Sequence, residues 1–493
     1  MIKGRVVQYL VAIAVSLATA SMGTFSGWPT PVMPKLKNNE SDFPVTEGEI
    51  GWMLASVSPG FLAGSLVTSF ISDTLGRRTA LIASVLPMTV GTVIVITATY
   101  ASMLYVTEFL WGFSTGIVSI VSSIYLAEIS DKDLRASLSM ITRFTFNFGV
   151  LVVMSVGPFL SYTLLNWLLL VLPVCFFVAC LWIPESPYYH LKEGRVNRAR
   201  EGLSRLKGKS GEELESHLNE LQADVRKEMQ KSSSVFELFS GKQYRRAIII
   251  AVGLKITQIL TGTVTIKQYL GLIIKESQMS ISYSTALLVF AAVIFVVSFM
   301  TSFFVDRVGR VPLLTYSYFG TGVTLVVVGI YFYFQANKQY SAESWLQPFS
   351  YVAFIGIILA NVISTIGFNS ITTVVHSEIF PLNVKSVAMT SLNILGGCLG
   401  MVVARGYELI KRISGQHGVF FFFAVISFAG AIFSFFVVPE TRGKTLKEIQ
   451  VILQGELYDV NEDVIIKKDL SKNNGDVENG DVELKALNTK LNE

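Results

Sequence analysis

Charge is scarce in this 493-residue sequence: Asp, Glu, Lys and Arg make up 15% of it, against a hydrophobic share of 51% and a mean hydropathy of +0.52. That excludes a soluble fold of this size, because a water-facing exterior needs far more charged surface. Cysteine and histidine are equally sparse. Cys175, Cys180 and Cys398 all fall inside apolar runs, which excludes a disulfide framework, and His190, His217, His376 and His417 lack metal-ligand spacing. No Walker loop, dinucleotide fingerprint or Gly-x-Ser-x-Gly elbow stands at a credible position. The expectation is therefore no cofactor, no metal and no enzyme. The net charge of +4 needs no nucleic-acid partner, and no obligate protein partner is evident.

What the sequence has is long apolar runs. A helix needs about 20 mostly apolar residues to cross the roughly 30 Å hydrocarbon layer. Twelve runs qualify: 6–27, 48–71, 79–99, 103–127, 137–160, 163–183, 246–272, 281–305, 311–334, 347–375, 384–408 and 417–438. The start, with Lys3, Arg5 and Ala18-Thr19-Ala20, also looks like a cleavable signal peptide, but cleavage would leave the first half one helix short. Residues 184–245 are dense in Lys, Arg and Glu and read as a soluble linker with helical stretches such as Glu212 to Met229. From Gly455 onward the chain is polar and reads as disordered.

Lys and Arg in short loops stay cytoplasmic. Arg77, Arg78, Lys132, Arg135, Arg307, Arg310 and Lys385 fall on one side with the linker and both termini. Asn39-Glu40-Ser41, on the other side, is an expected glycosylation acceptor.

Three signatures repeat in order. Asp73-Thr74-Leu75-Gly76-Arg77 after the second span returns as Asp306-Arg307-Val308-Gly309-Arg310 after the eighth. Glu128-Ile129 with Arg135 after the fourth returns as Glu378-Ile379 with Lys385 after the tenth. Pro184-Glu185-Ser186 after the sixth returns as Pro439-Glu440-Thr441 after the twelfth. Duplication is the economical account. The expected fold is an all-α membrane protein of 12 transmembrane helices in two pseudo-symmetric six-helix bundles. The expected divisions are 1–183, a cytoplasmic helical linker 184–245, 246–438, and a cytoplasmic tail 439–493. Acids and bases at these helix ends can pair between helices as the halves close and part as they open. Asp73, Arg77, Arg78, Glu128, Arg135, Glu185, Asp306, Arg310, Glu378, Lys385 and Glu440 are the expected gating network. Gly76 and Gly309 would permit the tight turns.

This punctuation, with Pro184-Glu185-Ser186-Pro187 and Pro439-Glu440-Thr441-Arg442-Gly443, resembles the sugar porter branch of the major facilitator superfamily. Within it, Gly23-Thr24, Gly27-Trp28, Pro31, Pro34-Lys35-Leu36 and Thr46-Glu47-Gly48-Glu49 look most like insect facilitated trehalose transporter homologues. The resemblance implies the major facilitator fold, a cavity lined by the first, fourth, seventh and tenth spans, alternating access around a midplane site, and a plasma-membrane location.

The aligned site residues depart from the family pattern. The seventh span keeps Gln258, Thr261 and Gly262 of the family's sugar-holding stretch, and Gln268 and Tyr269 replace its paired tyrosines. The tenth span has Gly367-Phe368-Asn369-Ser370-Ile371-Thr372-Thr373 where the family is proline-rich. Gly396-Gly397 replace an Asn-Trp pair, Arg143 replaces a sugar-contacting Gln, and Glu108 replaces an Arg. Arg143 sits about 12 Å deeper than Arg135 along a helix. An unpaired intramembrane charge costs at least about 2.5 kcal/mol to insert and is a functional candidate by default. Lys255 and Lys267 add positive charge to the seventh span, and Lys267 and Glu108 are an expected outer-gate pair. The expected solute-binding residues are Arg143, Gln258, Thr261, Gln268, Asn369 and Thr373.

The leading expectation is facilitative transport of a small polar solute, a hexose or trehalose by resemblance. The helix-1 Asp of proton-coupled relatives is missing, since Pro29 follows Gly27-Trp28. Two alternatives stand beside it: an organic anion neutralised by Arg143 and Lys255, and a non-transporting sensor.

Overall fold

A computed structural model describes residues 2–38, 40, 43–131, 134–208, 211–229, 238, 241–277, 281–304, 308–336, 349–444 and 446–454. Asn39, Asp306 and the tail beyond Gln454 lie outside these, as does the side chain of Arg135. The helices of the first set are α1 (Ile2–Gly27), α2 (Pro29–Lys37), α3 (Glu47–Thr74), α4 (Arg77–Ile96), α5 (Ala101–Ile129), α6 (Arg135–Val156) and α7 (Tyr162–Cys180). Three short helices follow: α8 (Pro187–Lys192), α9 (Val196–Lys207) and α10 (Glu212–Met229), the last with the limits expected from sequence. The second set is α11 (Arg245–Leu260), α12 (Thr263–Glu276), α13 (Tyr283–Phe304), α14 (Arg310–Ala336), α15 (Ser350–Ile366), α16 (Phe368–Ile379) and α17 (Leu382–Val437), and α18 (Leu446–Gln454) closes the described chain.

Among the described residues, eleven helical segments are long and apolar enough to span a bilayer. The eleventh and twelfth runs are two helices that meet end to end within α17 at a kink, where Gly415 has non-helical angles (φ 75°, ψ 179°), so they count there as one segment. Sequence reading expected the break between these two spans over 409–416, and the kink at Gly415 falls within that interval. Residues such as Leu409 and Lys411 carry the eleventh helix up to that break.

Packing inside the first set depends on close backbone approach. Gly60 and Gly64 of α3 face α5 so tightly that a Cβ would lie 2.1 and 2.0 Å from the Phe109 and Phe113 carbonyls. Gly112 and Gly116 of α5 return the arrangement against α3. Paired small-xxx-small faces let helices associate where lipid offers no hydrophobic drive. The start of α3 is fixed by a capping box, in which Glu49 accepts from the Thr46 N–H at 2.8 Å and Thr46 Oγ1 accepts from the Glu49 N–H at 3.3 Å.

The linker helices form their own apolar cluster of Leu191, Ala199, Leu203, Leu214, Leu218 and Val225. They are tied to the first set through Gln8, which donates to Asp131 at 3.0 Å and to the Leu206 carbonyl at 3.2 Å, and through the Lys207–Asp131 ion pair. The membrane core is asymmetric. One cluster runs through the first set and on into Ile266, Leu270, Leu287, Phe290 and Tyr407 of the second. A separate cluster, including Leu254, Tyr318, Phe368 and Val375, fills the second set near the repeated charged turns. The end carrying those turns is called the repeat end below.

Candidate functional site

At the repeat end the duplication is visible bond by bond. Arg77 Nη2 meets Glu128 Oε1 at 2.9 Å and its Nη1 meets Asp73 at 3.3 Å. Glu185 accepts from the backbone N–H groups of Arg77 (2.9 Å) and Arg78 (3.1 Å), the first residues of α4. In the second set Arg310 Nη2 meets Glu378 at 3.1 Å, and Glu440 accepts from the N–H groups of Arg310 (2.9 Å) and Val311 (3.1 Å), opening α14. A carboxylate at a helix N-terminus satisfies orphan donors and complements the dipole.

The turn glycines have a shared reason and a separate one. A Cβ at Gly76 would lie 2.4 Å from Glu185 Oε2, and one at Gly309 2.9 Å from Glu440 Oε2, so both clear space for the carboxylate. Gly76 alone of the two has positive φ, at 95°. Arg78 donates to the Cys180 and Leu181 carbonyls. Lys385 forms no ion pair among the described residues. All the pairs named here lie within one helix set.

The other end differs. Thr30 Oγ1 donates to the Lys267 carbonyl at 2.9 Å, and the Tyr283 hydroxyl reaches the Thr30 carbonyl at 3.3 Å. Lys37 lies 3.7 Å from Glu276, which also pairs with Lys411 at 2.6 Å. Arg405 donates to the Gly48 carbonyl at 3.1 Å and stacks over Trp52 at 4.8 Å. Apart from Glu276–Lys411, each of these contacts joins one set to the other.

Between the ends the seventh and tenth spans are broken, which sequence periodicity did not indicate. Gly262 (φ 66°, ψ 10°) separates α11 from α12, and a Cβ there would strike the Phe423 ring at 2.3 Å. Gly367 separates α15 from α16, where the Ser317 hydroxyl takes up the Phe368 N–H at 3.1 Å. The breaks bring Gln258 Nε2 to Asn369 Oδ1 at 3.4 Å. Discontinuous helices at mid-span are where transporters place polar sites. Thr257 adds a hydrogen bond to Tyr318 at 3.0 Å, and Tyr318 stacks on Phe368 at 4.2 Å.

The other expected site residues are placed differently. Thr261 is fully buried and donates to the Gln258 carbonyl at 2.7 Å, so its hydroxyl serves its own helix. Thr373 is exposed and Gln268 half-buried, and neither is hydrogen-bonded to the Gln258–Asn369 pair. Arg143 lies apart, between α6 and α13 beside Phe295, Ser298 and Phe299. Gly396 takes the stem of Lys255, whose Cε would be 2.5 Å from a Cβ, and Gly397 takes Leu62 of the first set at 2.8 Å.

Glu108 and Lys267 do not form the expected gate pair: Glu108 is 2% exposed with one carboxylate oxygen unpartnered, and no ion pair joins it to Lys267. Its place one turn before Trp111, in the packed interior of the first set, takes it out of reach. Sequence reading missed Trp28, whose Nε1 donates to Asn166 at 2.8 Å and whose ring meets Trp111 edge-on at 5.3 Å. The signal was there in Asn166, a lone amide in an apolar run.

Residues 7–453 match the family described as "Sugar (and other) transporter". The chain is 28% identical over 448 residues to the facilitated trehalose transporter Tret1 of Bombyx mori, covering 90% of this chain and 86% of that one. It is 29% identical over 455 residues to Tret1 of Drosophila pseudoobscura pseudoobscura, covering 91% of this chain and 51% of that one, so it spans about half that relative's length. Among solved structures, the inward-open xylose transporter XylE from E. coli superposes with a TM-score of 0.74 at 18% identity, covering 90% of this chain and 99% of that one. The chain is a multi-pass membrane protein with the major facilitator fold, and it belongs to the sugar (and other) transporter family.

Proposed function

We propose that the chain carries a small polar solute, a hexose or trehalose, down its gradient by alternating access. The carrying observation is the contrast between the ends: contacts that join the two sets gather at one end, while the charged turns at the other pair within their own set. That is the arrangement of a transporter shut on one side and free to open on the other. The positive-inside rule makes the repeat end cytoplasmic, with both termini, in a plasma-membrane protein. The divisions 1–183, 184–245, 246–438 and 439–493 serve as first bundle, linker, second bundle and tail. Asn39 is the proposed glycosylation acceptor.

The Gln258–Asn369 amide pair supplies donors and acceptors matched to a neutral polyhydroxylated solute. Gln268 and Thr373 extend this polar lining. The Arg77–Glu128–Glu185 and Arg310–Glu378–Glu440 clusters keep the helix ends of each half rigid, so that the halves move as bodies. Asp73, Arg78, Arg135, Asp306 and Lys385 complete the moving surface. A second reading is favoured by Lys255, half-buried and without an ion pair among the described residues: an organic anion on the same scaffold.

The test is uptake of labelled trehalose and glucose into proteoliposomes. Saturable counterflow insensitive to an imposed proton gradient, weakened by Gln258→Ala and Asn369→Ala, is expected. Proton-driven accumulation contradicts the facilitative reading, and absence of either flux alongside organic-anion exchange selects the second.

A further inference from the structure

The helix sets also meet along a seam between α6 and α13 that the amide pair does not touch. Phe144 packs edge-on against Phe295 and Phe299, with centroids 5.2 and 5.9 Å apart. Arg143 stands beside these rings in the wall of an open, shallow groove. A second open groove shares Asn147 and Phe295 with the first and reaches Lys267 on α12. Arg143 and Lys267 come from opposite sets, and neither forms an ion pair among the described residues.

Two features define what fits. Met140, Phe144, Phe299 and Phe303 are each 41 to 50% exposed. The apolar, exposed walls are therefore suited to a hydrocarbon chain. Against them stand two positive charges and no acid lining either groove, a setting that stabilises an anion.

We propose that this seam binds a single-chain amphiphilic carboxylate, of the long-chain fatty acid class. Its carboxylate sits in the guanidinium fork of Arg143, and its chain lies among the phenylalanine rings. Guanidinium pairs with carboxylate through two parallel charge-assisted bonds. The depth of Arg143, about 12 Å along α6 from Arg135, favours a bare carboxylate over a phosphodiester headgroup, whose bulk keeps it at the interface. The walls belong to both sets, so occupancy ties them together and slows their relative movement. This last consequence rests on the alternating-access reading; the binding does not.

The test is photolabelling of the full-length protein, in nanodiscs of neutral phosphatidylcholine, with diazirine-bearing palmitic acid. Labels are expected within 140–148 and 295–303, displaced by oleate. Arg143→Gln should weaken labelling about tenfold, and Arg143→Lys, which keeps the charge but not the fork, should recover part of it. Ser298→Trp, which fills the groove and keeps the arginine, should also block it. Equal labelling of the wild type by the corresponding long-chain alcohol overturns the proposal and needs no variant to fold. Displacement by phosphatidylserine but not by oleate overturns it in favour of a phospholipid. Loss of binding with unchanged transport would separate this proposal from the transport reading.

Discussion

The two ends of the molecule use the same kinds of residue for opposite purposes. At the repeat end, Arg77 and Arg310 are buried against Glu128 and Glu378 of their own sets. At the other end, Lys37, Glu276 and Arg405 lie in pairs and contacts that cross from one set to the other. The apolar interior follows suit, continuous across both sets at the latter end and separate at the former. Burial within a half gives rigidity, while contacts across the halves give a state that can be exchanged for another.

The largest effect should come from breaking a buried pair. Removing one partner of such a pair costs about 3–5 kcal/mol. Arg77→Met should therefore lower the thermal stability of the purified protein, and Arg310→Met should do the same in the other half. Unchanged melting combined with a shifted conformational equilibrium would show that the pairs act between halves instead.

Gly271→Val attacks the opposite end. Its Cβ would lie 2.0 Å from the Thr30 carbonyl across the halves, and overpacking costs about 1–3 kcal/mol. Transport should fall roughly tenfold or more, with cysteine reporters on that side becoming more reactive. Unaltered reactivity would remove the contact from the gate.

Smaller is the Lys37–Glu276 pair, whose side chains are 43% and 30% exposed. Such a pair is worth about 0.2–1 kcal/mol. Lys37→Glu should shift the equilibrium a few-fold, and adding Glu276→Lys should reverse part of the shift, as read by the same reporters; no rescue would mean the pair is incidental.

Smallest is the acid response of Glu440. Burial acts to raise its pKa, but the N–H groups of Arg310, Arg442 and Val311 outweigh this and hold it below the usual carboxylate value. A depressed folded value contributes stability above the unfolded pKa of about 4.3, lost as pH falls through the folded one. Glu440→Gln should melt earlier at neutral pH and show a shallower decline below pH ~4.3. An unchanged acid profile would assign the response to other carboxylates.

Much of the fold was legible because membrane spanning imposes length, and the repeated turns fixed the pairing of the halves. The breaks at Gly262 and Gly367 were not, because apolar sequence continues on both sides and the helix signal does not register one residue's backbone angle. Gln258 and Asn369 were each singled out through the family resemblance, but their contact was not legible, because it depends on those breaks. Arg143 stood out in the sequence as a charge inside a span, but its surroundings were not legible, since which neighbour a helix face meets is decided by how the halves dock. Thr261 shows the same limit at smaller scale: a hydroxyl at the right register turned back to the Gln258 carbonyl one turn before it.

The most direct test of the exchangeable end is to lock it. In a background lacking Cys175, Cys180 and Cys398, Gly48→Cys and Glu408→Cys place thiols on opposite sets, where a Gly48 Cβ would lie 3.5 Å from the Glu408 carboxylate. Joining them with a short bifunctional thiol reagent should stop solute counterflow while leaving the repeat end open to labelling. Full counterflow in the cross-linked protein would contradict the account.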